Sequence, residues 1–161
     1  MELLGTPAPD LSPPLGHLEV SVDSSGRLNT PTVAQEYFAA HGVEELFVTT
    51  LDERTTLLYP LSQWLAHIEK LKATPGKAAV AQRLQFVGNA FGAKVKLDKH
   101  GRILLPSNLR AKIPMEKQSV FLSFSSGFAK VMTKAVYEAE LQSYIAHRAE
   151  DLDALRDEGL Y

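Results

Sequence analysis

Two arginines, each directly behind a glycine, are the side chains best placed to do chemistry. They sit in Asp23-Ser24-Ser25-Gly26-Arg27-Leu28-Asn29-Thr30-Pro31 and Asp98-Lys99-His100-Gly101-Arg102-Ile103-Leu104-Leu105-Pro106. Asp, Gly, Arg and Pro recur there at one constant offset, Asp23 falling on Asp98 and Pro31 on Pro106. Asp23 and Asp98 can accept hydrogen bonds from the amides two residues on and so close a turn. Gly26 and Gly101 supply positive φ without a Cβ clash. Each proline suits the first turn of a helix. Arg27 and Arg102 therefore stand at turn tips, where a core has no use for them. Two readings are open. The arginine can pair with Asp23 or Asp98 and staple its own turn. Or a guanidinium held at a rigid strand edge can reach phosphates or a guanine edge in a major groove. Both hold if the aspartate orients the arginine before a ligand arrives.

The surrounding charge favours an anion. From Leu65 to Lys117 the chain has eleven Lys and Arg against three Asp and Glu, a net +8; the rest has six against sixteen, a net −10. One basic side on a chain of net charge −2 can hold an anion. Lys94, Lys96 and Lys99 read either as a solvated face or as phosphate contacts beside Arg102. Arg110 reads as structural, because a helix C-terminus favours a cation. The five histidines show no metal-ligand spacing. There is no Gly-rich phosphate loop, nucleophile elbow or cysteine. The expectation is no enzyme, no catalytic residues, no metal and no cofactor. Apolar runs fall far short of about twenty residues, so no membrane span is expected, and the chain reads as soluble and intracellular.

Elements must position the two arginines. Leu18, Val20 and Val22 alternate before the first turn, and Ala93, Val95 and Leu97 before the second. Helices are predicted from Pro31 or Thr32 to His41-Gly42, from Pro60 with Trp64, Leu65, Ile68 and Leu71 at helical spacing, and from Lys77 to about Ala90 with Val80, Leu84 and Val87 on one face. Strands are predicted at Leu46–Leu51, Thr55–Tyr59, Ser119–Phe124 and Phe128–Thr133, with Phe121, Phe124 and Phe128 as sheet core and Trp64 and Tyr59 as core or subunit-interface anchors. A last helix covers about Ala135–Leu155. Leu57–Trp64 also echoes Lys130–Tyr137, at an offset shorter by two than that of the turns. Two residues are therefore lost between the echoes, a loss assigned to the vicinity of Glu44 and Glu45. The chain divides into a flexible proline-rich tail (1–16), a first repeat (17–63), linker helices (64–91), a second repeat (92–136) and a C-terminal helix and tail (137–161). Four short strands cannot close over a core alone, whereas two interleaved units make a small barrel.

Asp-x-x-Gly-Arg-x-x-x-Pro between two strands is similar to the AbrB/SpoVT swapped-hairpin fold. Two copies, with Leu58-Tyr59-Pro60-Leu61-x-x-Trp64 between them and Arg83-Leu84-x-x-x-Gly88-x-Ala90 before the second, resemble the MraZ family over about His17 to Tyr144. That resemblance implies an α+β, mainly β chain: two swapped-hairpin repeats forming an intrachain pseudo-dimeric small β-barrel with flanking helices. It implies a cytoplasmic, nucleoid-associated transcriptional regulator of division and cell-wall genes. Its partners would be itself, as a ring homo-oligomer, and double-stranded DNA at repeated promoter sites, held by Arg27 and Arg102 with Lys99 beside them. Ser25 stands where the family usually has a basic residue, and Gln35 where the second repeat has Arg110, so repeat one reads as electrostatically weaker. The alternative is a protein-interaction module of antitoxin type, using the proline-rich first segment and the acidic last helix.

Overall fold

The computed structural model describes residues 11–42 and 45–161. The chain runs β1 (Leu18–Val22), β2 (Arg27–Asn29), α1 (Thr32–Ala40), β3 (Glu45–Thr49), β4 (Thr55–Pro60), α2 (Leu61–Ala73), α3 (Ala78–Phe91), β5 (Ala93–Lys96), β6 (Arg102–Leu104), α4 (Ser107–Lys112), β7 (Gln118–Ser125), β8 (Phe128–Thr133) and α5 (Lys134–Asp157). All strand pairs are antiparallel in one sheet of order β5-β3-β4-β8-β7-β1-β2-β6. The end strands β5 and β6 are the two arms of one hairpin, so the sheet curls into a nearly closed barrel.

The two repeats complete each other's sheet. β1 pairs with β7, β5 with β3, β2 with β6 and β4 with β8. Leu28 pairs with Ile103, its own counterpart in the second repeat. Leu57 pairs with Lys130, likewise its counterpart. Both pairs therefore lie on an internal pseudo-twofold axis. A half-chain buries too little apolar surface to stand alone; here Leu28, Val48, Leu58, Ile103, Leu105, Leu109 and Leu122, from both halves, share one fully buried core.

A second cluster holds Phe47, Leu57, Tyr59, Trp64 and Ile68. The Trp64 ring lies 5.0 Å from Phe47 and 5.3 Å from Tyr59. Gly88 lets α3 approach it: a Cβ there would meet the indole at 2.9 Å.

Several expectations need correction. Leu65 does not belong to the buried face of α2, being 52% exposed; Trp64 and Ile68 carry that face. On α3 the buried residues are Ala81 and Gly88, while Val80, Leu84 and Val87 are half-buried, because the close approach to Trp64 admits only small residues at the contact. Phe121, Phe124 and Phe128 are likewise half-buried rather than central. Only one of the two lost residues falls near the expected place. Strand pairing aligns β3 with β7 at an offset shorter by one than that of the turns, and β4 with β8 at an offset shorter by one again. One residue is therefore lost inside the second hairpin of the repeat. The other is lost between Gln35 and Glu45; Glu44 itself lies outside the described residues, as does the predicted tail up to residue 10.

α5 starts on a Thr133 cap, whose hydroxyl accepts from the Val136 N–H. Its Tyr137 stacks on Phe121 at 4.1 Å and its phenol meets His17 at 2.8 Å. None of its 24 residues is fully buried. Among the described residues no helix is long and apolar enough to cross a membrane.

Candidate nucleic-acid interface

The two turns are built alike. Asp23 Oδ1 accepts from the Ser25 and Arg27 amides at 2.9 Å, and Asp98 Oδ1 from the His100 and Arg102 amides at 2.8 and 2.9 Å. Gly26 and Gly101 take φ of +83° and +72°. Each turn is then fastened by the other repeat. The Thr30 N–H donates to the Gly101 carbonyl at 3.0 Å, and the Leu105 N–H to the Gly26 carbonyl at 2.9 Å. The tips are thus rigid, and their rigidity comes from across the pseudo-twofold.

Helices α1 and α4 back the turns in the same crossed fashion. Arg110 lies against Gly26, and Gln35 against Gly101. Gln35 Nε2 donates to the Thr30 carbonyl at 2.7 Å, as Arg110 Nε does to the Leu105 carbonyl at 2.9 Å. Arg110 also pairs with Glu116 at 3.2 Å. Arg110 is structural, though through this carbonyl and this carboxylate as well as its place in the last turn of α4. Gln35 therefore does the same structural work and removes no outward cation from repeat one.

Leu28 and Ile103 are fully buried, so their neighbours on the pleat face outward. Arg27 stands opposite Leu104, and Asn29 opposite Arg102, on one outer surface of the β2–β6 ribbon. Both arginines are half-buried on that surface. Their partners differ. Arg102 Nε holds Asp98 Oδ2 at 3.0 Å, and its Nη1 reaches Asp23 Oδ2 of the other repeat at 3.6 Å. Arg27 makes no ion pair with a described residue. So the stapling reading describes Arg102, with a carboxylate from each repeat, and does not describe Arg27. The Arg27 amide chiefly, with the amide of Ser25 and both guanidinium charges, outweighs desolvation and holds the Asp23 carboxyl below its ordinary value. For Asp98 the Arg102 amide leads, with the His100 amide and the Arg102 guanidinium also outweighing desolvation.

Lys99 and His100 project from the second turn, exposed, where the first has Ser24 and Ser25. Lys94 and Lys96 are exposed on β5 beside it, Lys94 lying 4.0 Å from Glu45. Asn29 and Leu104 share the arginines' strand face, each two residues beyond its arginine, a relation that the strand period of two carries in the sequence. Among the described residues no three His, Asp or Glu side chains converge as metal ligands.

Paired hairpin repeats that complete one another's barrel, with an arginine at each tip, define the swapped-hairpin class of small β-barrels. A family model described as "MraZ protein, putative antitoxin-like" matches residues 91–151. The chain is 32% identical over 143 residues to a protein of Legionella pneumophila (strain Corby), covering 86% of this chain and 91% of that one. It is 33% identical over 141 residues to one of Marinomonas sp. (strain MWYL1), covering 86% and 89%. A protein of Acidovorax sp. (strain JS42) is 29% identical over 142 residues, covering 88% and 96%. All three carry the name "Transcriptional regulator MraZ". The chain belongs to the MraZ family.

Proposed function

We propose that this protein is a transcriptional regulator that binds double-stranded DNA sequence-specifically through the outer face of the β2–β6 ribbon. The observation that carries the reading is the placement of Arg27 and Arg102 on one outward surface of a rigid two-stranded ribbon, the shape a major groove admits. Lys99 adds a phosphate contact at the rim. The name of its relatives, "Transcriptional regulator MraZ", supports the regulatory role; division and cell-wall genes are the targets proposed on the sequence resemblance.

One chain offers few phosphate contacts, so affinity comes from several copies engaging repeated promoter sites. Two unlike surfaces support a ring. The α2–α3 pair exposes Phe86 (77%) and carries exposed Lys70, Lys72, Lys77 and Arg83 against a single acid, Glu69, which pairs with Lys72. The far half of α5 exposes Leu155 and carries Glu150, Asp151, Asp153 and Asp157 against Arg148 and Arg156, a net negative stretch. Surfaces of opposite charge on different parts of one chain make head-to-tail contacts, which close into rings when the rotation permits.

The test is a gel-shift titration with the duplex upstream of the protein's own coding sequence. Arg27→Ala/Arg102→Ala abolishes binding while the circular-dichroism spectrum is unchanged. Unchanged binding by the double variant overturns the site. A second reading, a protein-interaction module of antitoxin type, is favoured by the unburied acidic α5; it predicts a stoichiometric basic partner on purification and no duplex affinity at low salt.

A further inference from the structure

The arginines share their outer surface with two side chains of unlike chemistry. Asn29 and Leu104 occupy equivalent positions in the two repeats, each two residues past its arginine. Neither is needed by the core. Leu104 is 45% exposed, an apolar side chain directly opposite Arg27 at a charged tip. Asn29 is exposed, and its Nδ2 donates to Ser21 Oγ at 2.7 Å. That bond steadies the amide and leaves Oδ1 and the second N–H without a described protein partner.

We propose that Arg27, Asn29, Arg102 and Leu104 form one base-reading face, Asn29 reading adenine and Leu104 a thymine methyl. The inference rests on the DNA-binding reading above and specifies its site. An asparagine amide matches the adenine major-groove edge, donating to N7 and accepting from N6, and apolar side chains pack on the thymine methyl, while arginine suits the guanine O6 and N7 pair. Opposite residues on a ribbon stand about 5 Å apart, so the four side chains span only a few base pairs.

Here the backbone and the arginines obey the internal twofold, whereas the positions beside them do not. Asn29 stands where the other repeat has Leu104, and Ser24-Ser25 where it has Lys99-His100. Arg102 is also held by two carboxylates, and Arg27 by none among the described residues. The two unlike positions therefore make separate contacts, the amide of Asn29 beside Arg102 and the apolar Leu104 beside Arg27.

The experiment starts with full-length wild-type protein and a library of duplexes carrying a randomised stretch of about one and a half helical turns. The selected element is expected to hold a thymine and an adenine beside guanines. Replacing that thymine with uracil, which lacks only the methyl, weakens wild-type binding about fourfold, the worth of one buried methyl-sized group. Leu104→Ala binds the two duplexes equally. Replacing the adenine with 7-deazaadenine weakens wild type roughly tenfold, and Asn29→Ala is indifferent to the change. A selected element that holds no adenine or no thymine beside its guanines overturns the inference. So does wild-type protein that ignores both modified bases, a result that needs no variant to fold. Absence of any duplex binding overturns the DNA reading itself, which separates the two failures.

Discussion

The crossed support of the two turns makes unequal predictions for two equivalent glycines. Ala at either position must hold a left-handed φ, which costs about 1–2 kcal/mol for an L-residue. The second contribution differs between them. At Gly26 the new Cβ lands 2.6–2.8 Å from Arg110 Cδ, Nε and Cζ. Arg110 cannot yield without giving up its bonds to the Leu105 carbonyl and Glu116. Hydrogen bonds to a charged group are worth about 1.5–3 kcal/mol, so Gly26→Ala should cost about 2.5–5 kcal/mol. At Gly101 the Cβ meets only the end of Gln35, which holds one neutral bond to the Thr30 carbonyl. A neutral bond is worth about 0.5–1.5 kcal/mol, so Gly101→Ala should cost about 1.5–3.5 kcal/mol. The shared backbone strain cancels in the comparison, leaving Gly26→Ala about 1 kcal/mol worse. With a urea slope of about 1–3 kcal/mol per molar, the midpoints separate by several tenths of a molar. Urea denaturation followed by circular dichroism reads this directly. Adding Arg110→Ala to Gly26→Ala should cost less than the separate losses together, because the obstructing side chain is gone. Equal midpoints, or Gly101→Ala the less stable, would refute the idea that each tip is braced by the opposite repeat.

The same geometry bears on three other measurements. Trp64→Ala should cost about 3–5 kcal/mol in urea denaturation, since the indole is nearly fully buried and Gly88 is shaped to it, whereas Phe86→Ala should leave unfolding of the isolated chain within about 0.5 kcal/mol yet reduce the particle mass seen by light scattering. Asp23 and Asp98 have folded-state values below the ordinary 3.8, so their stabilisation is complete above that pH and is lost as pH falls through the lowered values; thermal midpoints should hold near neutrality and fall below about pH 4, and Asp98→Asn should flatten that fall. Lys99→Ala should lower the slope of log affinity against log salt by about 0.9, as expected for one lost phosphate contact, without changing the preferred sequence.

Periodicity and spacing carry the elements of this chain well. The echo of the first turn in the second already contained the pseudo-twofold, because the same grammar must fold the same way twice, and the register bears this out at Leu28 and Ile103. β8 matches its expected bounds at Phe128–Thr133. The buried faces were less legible. Leu65 and Trp64 are neighbours with similar hydrophobicity, and only the packing of α3 against α2 decides which of them is buried and which exposed. Gln35 illustrates the same limit: by residue type it looked like a missing cation, and in place it is a brace on the Gly101 turn.

By itself, the order of residues determined the duplication, the turn chemistry of Asp, Gly and Pro, and the pair of arginines at the tips, because these depend on local conformation and on spacing along the chain. Only the tertiary structure decided that each tip is secured by the other repeat, that Arg102 is held by Asp23 as well as Asp98 while Arg27 is not, and that Asn29 and Leu104 share the arginines' face. Those are relations between segments far apart in the chain, set by strand register across the pseudo-twofold, and no local preference encodes them.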